Sequence, residues 1–242
     1  MIDRDVLSRC AAPFEVEITD RLFERLDIYA ALLVEWNEKM NLTAITDPMG
    51  VAIKHFADSL TAAPLLPARE FSLIDVGTGA GFPGVPLALL REDCRLTLLD
   101  SLQKRLTFLD TLCRELDLPV KLVHARAEEG GRQAAMREKY DVAVARAVAA
   151  LPTLCEYCLP FVKVGGRFLA LKGPDIDREQ EAAAKAVSLL GGKVALVQSL
   201  TLPAHHEEGV EPMERRLLQV DKVRHTPPAY PRHSSKISKQ PL

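Results

Sequence analysis

Residues 73–84, Leu-Ile-Asp-Val-Gly-Thr-Gly-Ala-Gly-Phe-Pro-Gly, constrain this chain more than any other stretch. The apolar run that leads into them, from Phe71 to Val76, fits a buried strand, and the glycines beyond it permit backbone geometry and close approaches that a Cβ would block. Residues 85–90 are apolar again and predict a helix whose free amides and positive dipole end face the turn. Strand, glycine turn and helix in this order predict a nucleotide-like ligand lying across the turn.

The rest of the chain repeats that unit. Strands are expected at 71–76, 95–100, 120–125, 140–145 and 167–171 with helices between them, and two more near 193–200 and 215–221 lie close enough to pair as an antiparallel edge. The pattern predicts an α/β fold with a doubly wound, mostly parallel sheet of seven strands, its ligands at the C-terminal strand ends. Upstream, Leu22, Phe23, Leu26, Tyr29, Leu33, Trp36 and Met40 recur at helical spacing, with Thr19 or Asp20 available as a cap. A shorter helix is expected from Pro48, carrying Lys54-His55-Phe56-Ala57-Asp58-Ser59-Leu60 and closed by Pro64 and Pro67. The organisation read from these signals is a helical extension over 1–67, a sheet domain over 68–221 and a basic tail over 222–242. Within the tail, Lys222, Arg224, Arg232, Lys236 and Lys239 stand among prolines and serines with no acidic residue, which predicts an extended segment, either solvated or in contact with phosphate.

Composition enters as a set of bounds. With 31 Lys and Arg against 33 Asp and Glu in 242 residues, the net charge of −2 supplies no global field for nucleic acid, so any RNA contact must come from a local patch. The charged start Met1-Ile2-Asp3-Arg4-Asp5 has no signal-peptide core, and no apolar run reaches the ~18 residues of a membrane helix. A cytoplasmic monomer with no membrane partner is expected. Five cysteines, an odd number over a long chain, do not form a disulfide framework, and Cys155-x-x-Cys158 reads as helix packing. No metal is expected: His205-His206-Glu207-Glu208 reads as a solvated loop. A GxSxG elbow, an HExxH pair and a P-loop lysine are all missing from the sequence.

Two ligand classes use such a turn. Gly79-x-Gly81-x-x-Gly84 matches the dinucleotide fingerprint and would suit a nicotinamide oxidoreductase. Asp75-x-Gly77-x-Gly79-x-Gly81 matches the first motif of S-adenosylmethionine-dependent methyltransferases, and Asp75 is placed to orient the ammonium of a methionine moiety. Asp100, ending the second strand 23 residues after Gly77, can accept from both ribose hydroxyls in either case. Ala127 and Glu128, after the third strand, are placed to frame an adenine through a backbone amide and a side chain. Arg146 follows the fourth strand, where enzymes that methylate an exocyclic amine commonly carry an Asn/Asp-Pro-Pro-aromatic motif. Here the chain reads Ala145-Arg146-Ala147, and a cation suits a phosphate, a guanine carbonyl or a cofactor carboxylate.

Several separate motifs then occur in one order: Asn41-Leu42-Thr43, residues 55–60, residues 75–84, Leu98-Leu99-Asp100-Ser101 with Lys104-Arg105, Arg146-Ala147, Gly166-Arg167 and Leu171-Lys172-Gly173. Together they closely resemble the bacterial small-subunit rRNA methyltransferase G family, also called glucose-inhibited division protein B, over residues 19–242. The resemblance implies a class I, Rossmann-like methyltransferase fold with S-adenosylmethionine as donor. It also implies transfer to N7 of a guanine in the 530 loop of 16S rRNA, as free RNA or in the small ribosomal subunit. The matching cofactor positions are Gly77, Phe82, Ala127, Glu128 and Arg146, beside Asp75, Gly79, Gly81 and Asp100 from the motif itself. On the acceptor side Asn41, Thr43, His55, Asp58 and Lys172 are expected to close over the target with Arg146 as the catalytic cation. Guanine N7 carries a free in-plane lone pair, so proximity and alignment suffice and no general base is required. A non-catalytic cofactor- or RNA-binding assembly factor is the rival of another class.

Overall fold

The computed structural model describes residues 1–174, 176–202 and 211–242, so the His205 to Glu208 loop lies outside the described residues. Helix α1 (Arg4–Ala11) is capped by the Asp3 carboxylate, which accepts from the Val6 amide at 3.0 Å. It was not anticipated, although Val6, Leu7 and Cys10 share one buried face. Helix α2 (Asp20–Met40) starts at Thr19, whose hydroxyl accepts from Leu22 N, and ends where Asn41 turns left-handed at φ 49°. It buries Leu22, Leu26, Tyr29, Ala30 and Leu33, the stripe expected from the spacing. The next helical run changes pitch twice, from α3 (Pro48–Gly50) through a π-helical stretch (Val51–Ala57) to α4 (Asp58–Leu60). A π turn inserts one extra residue and is frequent at functional sites. This one carries His55 and Phe56.

The sheet domain alternates as expected. In chain order it comprises β1 (Phe71–Val76), α5 (Gly84–Leu90), β2 (Cys94–Asp100), α6 (Gln103–Glu115), β3 (Val120–His124), α7 (Ala127–Gly130), β4 (Tyr140–Arg146), α8 (Leu151–Cys158), β5 (Val162–Lys172), α9 (Asp177–Leu189), β6 (Gly192–Leu202) and β7 (Met213–Lys222). The seven strands lie in the order β3-β2-β1-β4-β5-β7-β6. All neighbours are parallel except β7, which runs antiparallel to both β5 and β6. The expected antiparallel pair therefore exists, with β7 inserted inside the sheet and β6 at its edge. Strand β5 starts at Val162 rather than 167, because Gly165 at φ 86° lets the strand bulge against β4 instead of ending there.

One apolar layer joins Leu7, Leu26 and Leu33 of the N-terminal helices to Leu73 and Leu96 of the sheet, and a second packs α8 and α9 on the opposite face. Cys155 and Cys158 lie fully buried in that second layer, where burial pushes the Cys155 thiol up to about 12. They are packing residues, as the helical context suggested.

The tail differs from the expected extended arm. Arg232 forks onto the fully buried Glu156 carboxylate at 2.6 and 2.9 Å, and its amide donates to the same group at 2.7 Å. Lys222 is buried, donating to Leu159 O and Thr226 Oγ1 and facing Glu138 at 3.3 Å, and burial lowers its pKa to about 8. Arg137 holds the Thr226 and Tyr230 carbonyls, and the chain closes with α10 (Ser234–Lys239), whose Ile237 is buried. The acidic partners come from positions 138 and 156, so the local lack of acids in the tail gave no sign of them.

Since β2 and β3 lie on one side of β1 and β4 on the other, the chain reverses its winding between β1 and β4. The crevice outside their C-terminal ends is where open α/β sheets bind ligands.

Candidate active site

Asp75, the penultimate residue of β1, lies beneath the glycine turn and holds it shut. Its Oδ2 accepts from Thr78 Oγ1 at 2.8 Å and from Gly84 N at 2.9 Å, while Oδ1, fully buried, has no partner. Burial raises this carboxyl to about 6, against the opposing pull of the Thr78 and Gly84 hydrogen bonds. Gly81, at φ 103°, passes so close to α2 that a Cβ would stand 2.6 Å from the Tyr29 hydroxyl. Tyr29 in turn donates to Ala80 O at 2.5 Å and stacks on Phe82 at 5.0 Å, so α2 fixes the far wall of the turn. Gly79, at φ 61°, has nothing within 4 Å of a built Cβ and leaves its backbone open to a ligand.

Beside the turn, a cleft of about 270 Å³ is walled by Gly77, Asp100, Ala127 and Glu128, with Arg105 and Tyr157 at its margin. These are four of the expected cofactor positions; Asp75, Gly79, Gly81, Phe82 and Arg146 border the region without lining the cleft itself. The Asp100 carboxylate is preset there. Oδ2 accepts from Gly79 N at 3.0 Å and from Arg105 at 3.3 Å, and Oδ1 accepts from Leu102 N at 2.9 Å. Ala127 is the first residue of α7, so its amide has no acceptor within the helix.

A second cleft, of about 340 Å³, is lined by Lys54, Asp58, Arg146, Lys172 and Arg215 and meets the first at Ala147. Ala147 sits at φ 55°, a left-handed conformation that costs a residue with a Cβ about 1–2 kcal/mol. Asp58, 2 % exposed, is gripped from both sides: Oδ2 by Arg146 at 2.8 Å and Oδ1 by Arg215 at 2.9 Å. The Arg146 guanidinium also donates to Lys54 O at 3.0 Å and to His55 Nδ1 at 3.3 Å, and lies 5.0 Å over the Phe82 ring.

Arginine can only donate, so His55 Nδ1 accepts and Nε2 carries the proton. Nε2 then donates to Thr43 Oγ1 at 2.9 Å, and Ile45 N donates to the same oxygen at 3.0 Å. With both lone pairs taken, the Thr43 hydroxyl keeps only its hydrogen to donate. Burial, and then the neighbouring Arg146, lowers the His55 pKa to about 4, which keeps the ring neutral where it stacks on Phe82 at 4.5 Å.

Thr43, His55, Asp58 and Arg146 thus form one connected group. Lys172 stands apart from them, donating to Ala149 O at 3.0 Å and pairing with Glu179 at 2.7 Å. Asn41 serves as the left-handed end of α2, and among the described residues its side chain makes no hydrogen bond. Two lining cations were not foreseen. Arg215 arrives from β7 because Lys172 pairs with Arg216, which carries its neighbour past the end of β5. The fourth cation, Lys54, comes from the π-helical run. Neither belongs to a local motif; strand register alone could have pointed to Arg215. Among the described residues no three His, Cys, Asp or Glu side chains converge as a metal site, and no helix is long and apolar enough to cross a membrane.

The geometry is matched by likeness to known proteins. Structures that share the fold at 13–14 % identity include a precorrin-6y C5,15-methyltransferase from Geobacter metallireducens, with a TM-score of 0.53 over 69 % of this chain and 87 % of that one. A putative RNA methyltransferase from Pyrococcus horikoshii aligns with a TM-score of 0.52, covering 77 % of this chain and 91 % of that one. The M. jannaschii protein TYW2, solved in complex with AdoMet, gives a TM-score of 0.50 over 64 % of this chain and 71 % of that one. These likenesses identify the class I methyltransferase fold. In sequence, the chain is 46 % identical over 240 residues to ribosomal RNA small subunit methyltransferase G of Acetivibrio thermocellus, covering 99 % of this chain and 96 % of that one. It is 49 % identical over 245 residues to the protein of the same name from Alkaliphilus oremlandii, covering 99 % and 98 %. The family model described as GidB, rRNA small subunit methyltransferase G, matches residues 22–207. A sheet that reverses between β1 and β4, a turn clamped by Asp75 and a match across most of the chain lead to one assignment: this chain belongs to the rRNA small subunit methyltransferase G family.

Proposed function

We propose that this chain transfers a methyl group from S-adenosylmethionine to N7 of a guanine in the 530 loop of 16S rRNA. The observation that carries the reading is the meeting of two clefts at Ala147, one preset for a nucleoside and the other lined by cations with no amine-accepting motif. The residues present fit the donor. Asp100 suits ribose hydroxyls, the Ala127 amide and Glu128 suit an adenine edge, and the orphaned Asp75 Oδ1 at the end of β1 suits an ammonium group. Bound there, S-adenosylmethionine would supply an electrophilic methyl group on sulfur.

The chain's own part is to hold and orient. Because N7 presents its lone pair without losing a proton, nothing in the second cleft has to act as a base, and the neutral His55 suits a positioning role. Arg146 is the candidate catalytic cation. Held by Asp58 and backed by the Phe82 ring, it presents charge where a guanine carbonyl or a neighbouring phosphate would lie. The cations Lys54, Lys172 and Arg215 extend that surface for RNA. Gly84 also favours this donor over a dinucleotide, since it is used against Asp75, with a built Cβ 2.7 Å from the Asp75 Cβ.

The test is methylation of deproteinised 16S rRNA and of small subunits by the purified chain with labelled donor, followed by mass-spectrometric mapping. A single 7-methylguanosine in the 530 loop is expected. Label at another atom or nucleotide overturns the site assignment, and no label in either substrate leaves a binding role instead of an enzyme.

A further inference from the structure

At the opposite end of the strands from the cofactor cleft lies a larger groove, of about 770 Å³. Its rim carries Arg21 and Arg25 from α2, Arg95 from β2, Lys121 from β3 and Lys139 from the segment before β4. Glu92 and Asp117 are the acidic residues on the same wall and Glu70 pairs with Arg95 beside it, so five positive charges face three negative ones in a chain whose net charge is −2. Four separate parts of the chain converge to build this excess.

The fold uses only part of this charge. Among the described residues the exposed Lys121 and Lys139 make no ion pair. Arg21 pairs with Glu92, and Arg95 with Glu70, at side chains that are 60–71 % exposed. Exposed pairs of this kind contribute little and exchange readily for other anions. Arg25 is tied to Leu116 O at 2.6 Å, and burial and then repulsion from Arg21 lower its pKa.

The groove and the cofactor cleft both border β3, Lys121 lining the one and Arg126, just past the strand's end, lining the other. Strand β3 is the edge of the sheet, and its side chains alternate between the two faces, so the route between groove and cleft runs over the exposed edge itself. Arg95 and Asp100 lie five residues apart on β2, about 17 Å at the usual rise per residue. That distance corresponds to about five nucleotides of a stacked strand at about 3.4 Å each.

We propose that this groove is a second RNA site, gripping the phosphodiester backbone of the substrate on the far side of the sheet edge from the target base. The proposal rests on the reading of the chain as an rRNA methyltransferase. It accounts for how a chain without overall positive charge holds RNA: the attraction is local, and it runs along one edge of the sheet.

The test uses the full chain with Lys121→Glu and Lys139→Glu combined. Lys193→Glu on β6, at the other edge, is the control, and Lys121→Ala with Lys139→Ala is a milder version. Affinity for deproteinised 16S rRNA is measured across salt, together with S-adenosylmethionine binding and methylation kinetics. The double reversal is expected to weaken RNA binding by about tenfold or more and to lower the salt slope by about 1.4–1.8, for two phosphates at about 0.7–0.9 each. KM for RNA should rise, with kcat and cofactor affinity unchanged, and the alanine pair should shift the same way by less.

An unchanged affinity and slope overturns the proposal, as does an equal loss from Lys193→Glu. A loss seen only with assembled subunits overturns it in favour of an acidic protein surface. If the native chain methylates no rRNA, the proposed activity falls, and the RNA-binding comparison still decides the groove.

Discussion

The Asp58 carboxylate accepts from Arg146 at 2.8 Å although the two residues lie 88 positions apart, one on the N-terminal helical run and the other at the end of β4. Removing the carboxylate leaves Arg146 and Arg215 both unpaired at largely buried positions. Asp58→Ala is therefore expected to cost about 3–5 kcal/mol of stability, the usual penalty for breaking a buried pair. Urea unfolding measures this; a loss below about 1 kcal/mol would mean that water replaces the carboxylate.

Arg146→Ala should reduce methyl transfer far more than Lys239→Ala, which removes an exposed tail charge. Arg146→Lys should recover little, because a single ammonium cannot reach Asp58, the Lys54 carbonyl and the Phe82 face together. Rates measured at saturating donor compare the three. Equal activity of the alanine variants would take Arg146 out of the site.

Asp100→Asn should weaken cofactor binding by about tenfold to a hundredfold, since hydrogen bonds made by a charged group contribute about 1.5–3 kcal/mol. Gly79 N and Leu102 N lose a charged acceptor in the same step. Titration calorimetry with S-adenosylmethionine reads the change directly. An unaltered affinity would leave Asp100 a loop anchor alone.

His55 predicts a pH slope. Its pKa falls from 6.5 in the unfolded chain to about 4 in the fold. Between those values the unfolded chain takes up the proton first, so the contribution is intact above pH 6.5 and is lost as pH drops toward 4. Asp75, raised from 3.8 to about 6, acts in the opposite sense, its contribution being lost as pH rises through that window. The native chain minus His55→Gln isolates the histidine, and that difference in unfolding free energy should shrink from pH 7 to pH 4.

Glu156→Ala should release the tail, because Arg232 then loses both its forked acceptor and the anchor of its own amide. Faster proteolytic cleavage after residue 222 is the expected readout, with cofactor affinity unchanged. A tail that stays protected would assign its docking to Ile237 and Arg137.

Much of this architecture was legible because it follows from local periodicity. The α2 stripe, the alternation of strands and helices, and the glycine turn each depend on residues within about ten positions of one another, so pattern reads them directly. Helix α1 was missed because its short face of Val6, Leu7 and Cys10 is brief and flanked by charges. The bulged start of β5 and the docked tail were missed because both are defined by partners elsewhere in the sheet and its flanking segments.

The sequence alone determined the fold class and the place of the glycine turn, since spacing, glycine and the acid at Asp75 act within one βα unit. Tertiary structure decided how the cation-lined cleft is built. Asp58 meets Arg146 and Arg215 only because β4 and β7 flank β5 in the sheet and the π-helical run closes over their ends. Charge pairing between remote positions is set by strand order and register, and those depend on packing the whole core rather than on any local pattern of residues.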